Sequence, residues 1–160
     1  MASFSHLSPD HRANMVDTSQ KAPTRRSAAA RSIVLLPENV LAEMLRDGEL
    51  QSPKGAVFQT AVLAGIMAAK KTGDLIPLCH PIGLDHCQIE LHFDAQQRLV
   101  IDCTATVTAK TGVEMEALVG ASIAALTVYD MCKALSHDIV ILETRLMAKT
   151  GGKRDFLRDR

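Results

Sequence analysis

Apolar and polar residues alternate along His86-Cys87-Gln88-Ile89-Glu90-Leu91-His92-Phe93, with Ile89, Leu91 and Phe93 on one side and Gln88, Glu90 and His92 on the other. A period of two predicts a half-buried strand. Asp94 to Arg98 reads as a hairpin turn, and LVIDCTATVTA (99–109), rich in β-branched residues, as the returning strand. Upstream, Ile33 to Leu36 predicts a strand closed by Pro37, and ENVLAEMLRDG a short helix with Glu38 in its first turn and Gly48 just past its end. Residues 56–71 predict an Ala- and Gly-rich helix. Lys70 and Lys71 suit its negative terminus, with Gly73 beyond. Residues 116–135 are too long and too Ala-rich for a strand and read as a buried helix; IVILETRLMAK (139–149) reads as a last strand. The order strand, helices, strand, strand, helix, strand matches an α+β fold, the ferredoxin-like split βαβ sandwich. That fold has an antiparallel sheet with helices on one face. Gly120, Ala121, Ala124 and Ala125 would let the second helix lie close to the sheet. Polar residues 1–14 are expected to form a loose arm, 15–155 a single domain and 156–160 a tail.

Composition narrows the class. The chain of 160 residues is 47% hydrophobic with 3% aromatics and no Trp, so the core is built from Ala, Val, Leu, Ile and Met. A formal net charge of zero gives no general attraction to nucleic acid or membrane, although local basic clusters can still bind an anion. The four cysteines, at 79, 87, 103 and 132, contain no C-x-x-C and read as reduced thiols. The N-terminal residues lack the apolar core of a signal peptide. The longest strictly apolar run, Ala61 to Ala69, is too short to span a bilayer. The expected location is the cytoplasm.

Candidate chemistry gathers in four places. In GDLIPLCHPIGL (73–84) two prolines bracket Cys79 and His80. Proline is excluded from helix interiors and central strands and pushes its predecessor to extended geometry, so Leu78–His80 is expected as a stiff extended loop. Lys-Thr-Gly occurs at 71–73, 110–112 and 149–151. Each copy fits ordinary turn chemistry. In AKTGGK, however, Lys149 and Lys153 surround a Gly pair, which suits close approach to an anion. Asp130 and Lys133, three apart on one helical face, are either a structural ion pair or an acid and base sharing a proton-transfer site. Glu114 and Glu116 are acidic residues at the start of the same helix, where negative charge is common. From Glu116 to Asp130 is 14 residues (130 − 116), about 21 Å along a helix. If both ends act on one substrate, the site is assembled between subunits. Cys79, His80, His86 and Cys87 resemble metal ligands, but adjacent residues in extended chain point to opposite faces and no zinc-knuckle spacing is present.

At these residues the sequence resembles the cyclic pyranopterin monophosphate synthase family (protein C of molybdenum cofactor biosynthesis). The segments that carry the resemblance are MVD, KG-VF, AGI-AAK, DLIPLCHP, KTGVEMEAL, ALTVYDMCKA and AKTGGK, spread from Met15 to Lys153. It implies a catalytic domain over 15–155 that rearranges a 3′,8-cyclised dihydro-GTP, made by a radical SAM cyclase, to cyclic pyranopterin monophosphate and pyrophosphate. Asp130 and Lys133 are the implied catalytic pair, with Lys54, His80 and Glu114 as further catalytic residues. Leu78, Cys79, His80, Met115, Glu116 and Lys70 are implied substrate contacts. Arg26 (or its neighbour Arg25), Lys149 and Lys153 are implied contacts from a neighbouring subunit. The resemblance implies a homohexamer, a trimer of dimers with the site at the dimer interface. It implies no resident cofactor or metal, no nucleic acid and no membrane. Two departures stand out: Ser52-Pro53 precedes Lys54 where a His-rich turn is usual, and Gly73 replaces a common aromatic. Two other classes remain as rivals: a non-catalytic nucleotide-binding regulator of the same fold, and a metal-dependent hydrolase using Cys79, His80 and His86.

Overall fold

The computed structural model describes residues 12–47, 51–52 and 54–158. Its strands and helices run in the order β1 (Thr24–Leu35), α1 (Glu38–Asp47), β2 (Gln51–Ser52), β3 (Gly55–Ala56), α2 (Val57–Lys70), α3 (Thr72–Leu75), β4 (His86–Phe93), β5 (Leu99–Ala109), α4 (Glu114–Cys132), β6 (Val140–Thr150) and β7 (Phe156–Leu157). The main sheet has the order β4-β5-β1-β6-β7, and every pairing is antiparallel. Each of the two long connections, β1 to β4 through α2 and β5 to β6 through α4, skips one strand. This is the split βαβ sandwich expected from the order of elements.

The core lies between the sheet and the α2–α4 layer. Leu99, Ile101, Cys103, Ala105 and Val107 of β5 face it at every second position, as the pleat requires. Ala28 and Ala30 of β1 and Ala117, Ala121, Ala124 and Ala125 of α4 are fully or almost fully buried. Small residues on both sides keep the helix close to the sheet. Where α2 crosses α4, Gly65 and Gly120 meet: a Cβ on Gly65 would lie 2.7 Å from the Gly120 carbonyl oxygen. Ala69 lies beside Gly120 and Gly65 beside Ala124, so the two helices run antiparallel. The start of α2 is therefore level with the end of α4. By length and hydropathy α4 is also apolar enough to cross a bilayer, but just over half of it is buried within this fold.

Several expectations need correction. The first strand begins at Thr24, nine residues before Ile33, because its polar and Ala-rich half pairs with β5 on one side and β6 on the other. Gly73 lies beyond the end of α2, as expected, but within a further short helix, α3, that the sequence reading did not include. Leu78 is not extended: the Cys79 amide donates to the Ile76 carbonyl at 3.0 Å, which closes a turn with Pro77 at its second position. Proline's fixed φ suits that position as well as it suits an extended chain. Within the expected tail, Phe156 and Leu157 form β7 against Lys149 and Ala148. The expected arm lies outside the described residues up to position 11, and Gly48, expected just past the first helix, lies outside them too.

Candidate active site

The start of α4 anchors one group of side chains. Glu114 opens its first turn and folds back over Gly112, where a Cβ would collide with its carboxylate. Lys149 of β6 reaches Glu114 from across the sheet, Nζ to Oε1, at 2.8 Å. Beyond Lys149 the chain turns sharply at Gly151 (φ +80°), where an added Cβ would strike the Arg25 carbonyl oxygen. Only glycine fits that conformation and that approach. The turn brings Lys153 back beside Arg26, whose Nε donates to the Ala109 carbonyl at 3.1 Å. The result is a cavity of about 400 Å³ lined by Lys21, Arg26, Lys110, Glu114, Lys149 and Lys153 among others. Five cations against one carboxylate suit a polyanion. Of the two arginines, Arg26 lines this cavity.

A second cavity of about 390 Å³ adjoins it and shares Val16, Lys21, Thr111, Gly112 and Glu114 with the first. Its other walls are Leu78, Cys79 and His80 from the proline-bracketed turn, and Met115 and Glu116 from α4. The His80 ring is held by the N-terminal segment, Nε2 to the Val16 carbonyl at 2.8 Å. A carbonyl only accepts, so Nε2 carries the hydrogen; in the neutral ring Nδ1 is then free to take a proton. Glu116 is 3% exposed. Burial pushes its carboxyl above the ordinary range, and the Glu114 charge adds to this. Burial, followed by the Glu116 charge, likewise raises the Cys79 thiol. Glu116 also borders a third cavity of about 250 Å³, which Lys70 lines with Lys71, Thr72 and Gly73.

The remaining expected residues sit at the far end of α4. Lys54 occupies the turn between β2 and β3, its amide donating to Ser52 Oγ at 3.1 Å. Its ammonium meets Asp130 Oδ2 at 2.5 Å, while Lys133 Nζ meets Asp130 Oδ1 at 2.7 Å. Hydrogen bonds from Lys133 and then Lys54 hold the Asp130 carboxyl down at about 2, and Asp130 in turn raises Lys133. All three side chains are about half exposed. The apolar neighbours in sequence point elsewhere, so this is not a pair embedded in an apolar helix.

The structure thus makes two groups. Arg26, His80, Glu114, Met115, Glu116, Lys149 and Lys153, with Leu78, Cys79 and Lys70, gather around the start of α4. Lys54, Asp130 and Lys133 stand at its other end. The resemblance implies Arg26, Lys149 and Lys153 as contacts from a neighbouring subunit; within this chain they line the cavity that Glu114 lines too. Lys21 and Lys110 were not anticipated; the Lys110 ammonium donates to the Ser19 carbonyl at 2.9 Å. Lys110 belongs to the second Lys-Thr-Gly triplet. Residues of all three triplets line these cavities: Lys110, Thr111, Gly112, Lys149 and Thr150 the first, and Lys71, Thr72 and Gly73 the third. Among the described residues no group of three or more His, Cys, Asp or Glu side chains is placed to hold a metal. Cys87 faces Cys103 across the core side of the sheet at 3.9 Å between sulfurs.

The chain is 53% identical to the cyclic pyranopterin monophosphate synthase of Xanthomonas oryzae pv. oryzae, with 97% of this chain and 93% of that one covered. It is 46% identical to a molybdenum cofactor biosynthesis bifunctional protein of Synechocystis, covering 45% of that protein. With molybdenum cofactor biosynthesis protein 1 of Dictyostelium discoideum it shares 47% identity over 26% of that protein's length. The model of the MoaC family matches residues 15–152, which include every expected site residue except Lys153, and on that near-complete match the chain belongs to the MoaC family.

Proposed function

We infer that this chain is a lyase of molybdenum cofactor biosynthesis that forms cyclic pyranopterin monophosphate. It takes 3′,8-cyclised 7,8-dihydro-GTP, opens the purine imidazole ring, closes the pterin ring and cyclises the phosphate with loss of pyrophosphate. The carrying observation is the joined cavity, in which five cations open onto a buried carboxyl and a histidine with one free ring nitrogen. A triphosphate requires the first feature and repeated proton transfer the second. Relatives at 51–53% identity over nearly the whole chain bear the name of this activity.

The roles follow from position. Arg26, Lys149 and Lys153, helped by Lys21 and Lys110, hold the triphosphate. Leu78, Cys79 and Met115 flank the base. His80, Glu114 and Glu116 exchange protons with the ring, and Lys70 approaches from beyond Glu116. When the ribose 2′ oxygen attacks the α-phosphorus, its proton passes to a base and pyrophosphate leaves with its charge held by the lysines. Lys54, Asp130 and Lys133 act on the same substrate from a second copy, because about 21 Å of helix keeps them from it within one chain. The working form is a homohexamer, a trimer of dimers, in the cytoplasm, fed by a radical SAM cyclase. Relatives with longer chains, one of them named bifunctional, support a link to another step of the pathway.

Incubation with the cyclised dihydro-GTP, followed by mass spectrometry, tests the reading. The expected result is cyclic pyranopterin monophosphate with one equivalent of pyrophosphate. Substrate that binds and is recovered unchanged would point to the nucleotide-binding regulator instead.

A further inference from the structure

The segment that follows Met15 meets the middle Lys-Thr-Gly triplet where the cation-lined cavity joins the cavity of His80. Val16 and Lys21 line both cavities, together with Thr111 and Gly112, and Thr18 lines the second. Residues 16–21 belong to no helix or strand. Their course over the site is therefore set by individual hydrogen bonds and not by a ladder.

Those hydrogen bonds form a chain that ends on the histidine. Asp17 Oδ1 accepts from the Ser19 amide at 2.8 Å, which bends the segment as an aspartate commonly does two residues ahead. The Lys21 amide donates to the Thr18 carbonyl at 3.1 Å and continues the bend. From the far side, the Lys110 ammonium donates to the Ser19 carbonyl at 2.9 Å. The Ser19 hydrogen bond, with the Lys110 and Lys21 charges nearby, holds the Asp17 carboxyl below its ordinary range. One residue before Asp17, the Val16 carbonyl accepts from His80 Nε2 at 2.8 Å. Asp17 and Ser19 are exposed and line neither cavity, so Asp17 reaches the site only through the backbone it bends. The consequence falls on the ring. A neutral imidazole carries its one hydrogen on either nitrogen, and the partner of one nitrogen decides which. The Val16 carbonyl keeps the hydrogen on Nε2 and leaves Nδ1 as the acceptor. A ring without that partner exchanges between both forms.

We propose that Asp17 is a positioning residue for His80: together with Lys110 it pins residues 16–21 so that the Val16 carbonyl fixes the His80 ring with its hydrogen on Nε2. This rests on the reading of His80 as a proton-exchanging group and gives that group its orientation. Lys110 then serves two purposes, holding the segment through Ser19 and adding its charge to the first cavity.

The tautomer can be read without substrate. Magic-angle-spinning nitrogen-15 spectra of the sedimented full-length protein, labelled at its six histidines, report which ring nitrogen carries hydrogen. The His80 signal, identified by its loss in His80→Gln, should show a single neutral form with Nε2 protonated. In Asp17→Ala both forms should appear. With the cyclised dihydro-GTP, that variant should lose about tenfold in kcat while KM stays within about twofold, because the cations that bind the substrate remain. Its melting temperature should not change. Asp17→Asn keeps an Oδ1 acceptor for the Ser19 amide and should retain the single form and most of the turnover. Added to His80→Ala, Asp17→Ala should cost nothing further, since residues that act as a unit are not additive. A native His80 with its hydrogen on Nδ1 or shared between both nitrogens overturns the proposal. So does an Asp17→Ala protein with an unchanged tautomer or an unchanged kcat, or an Asp17→Asn protein as slow as Asp17→Ala. A native protein that shows the expected tautomer but returns the substrate unaltered would remove the catalytic reading of His80 and leave its pinning by the segment standing.

Discussion

Asp130 holds two ammonium groups at once, Lys54 at 2.5 Å and Lys133 at 2.7 Å. Its carboxyl sits near 2 and Lys133 is shifted upward, so both stay charged at neutral pH. The aspartate's contribution to stability is present above its ordinary 3.8 and fades as pH falls toward about 2. It is small, because an exposed pair is screened by water. Asp130→Asn should therefore cost turnover on the order of 10²-fold or more, the scale for losing a proton-transfer group, with little change in melting temperature. Single-turnover product formation beside a thermal melt checks this; a near-normal rate would make the pair structural. Glu116 carries the opposite sign. Its carboxyl is raised from 4.5 by burial, so the folded chain favours the protonated form and loses that advantage as pH rises through the folded value. Glu116→Gln should melt higher than the native protein at neutral pH, with the difference closing below about 4.5, while product formation is lost. Melts across a pH series read both. A Gln variant that melts lower at every pH would mean the carboxylate is stabilised where it lies.

At the scale of elements, α2 ties the two groups together: Lys54 precedes its first turn and Lys70 ends it. Its distance from α4 is set by Gly65. An alanine there would press on the Gly120 carbonyl oxygen at 2.7 Å, on Ala124 Cβ at 3.2 Å and on Ile89 Cδ1. Gly65→Ala should cost about 1–3 kcal/mol by overpacking. It should lower turnover at temperatures where the protein is still folded, since both lysines move with the helix. Denaturant midpoints and rates on one preparation check this; an unchanged rate would mean α2 does not position them. The elements were unevenly legible in the sequence. β4 alternates cleanly and β5 is rich in β-branched residues, and the bounds expected for both are those observed. β1 was visible only from Ile33, because Arg25, Arg26 and the alanines have no intrinsic strand preference and are held there by two neighbouring strands. The Pro77 turn and the extended loop expected in its place share one signal, since proline's fixed φ serves both. Asp130 and Lys133 were legible as a pair. That Lys54 completes it was not, since a separation of 76 residues is bridged only by the antiparallel packing of α2 on α4.

For the whole molecule, the two clusters at opposite ends of α4 are the central fact. No rearrangement of side chains closes about 21 Å of helix, so a chain acting alone would leave either Asp130 and Lys133 or Glu116 and His80 without substrate. The net charge of zero fits this: cations concentrated in one cavity are balanced elsewhere, and the molecule attracts its ligand locally and not by an overall field. Family membership and the cavity chemistry together indicate the reaction; the division of the site between chains is what most needs a test. Lys133→Ala and Glu116→Ala disable opposite ends of the helix. Mixed in equal amounts and allowed to exchange subunits, half the dimers are mixed, and each mixed dimer has one of its two sites intact. Product formed from the cyclised dihydro-GTP, measured by mass spectrometry, should return to about a quarter of the native rate per chain. Activity no higher than the sum of the two separate variants, after exchange has been verified, would contradict the shared site.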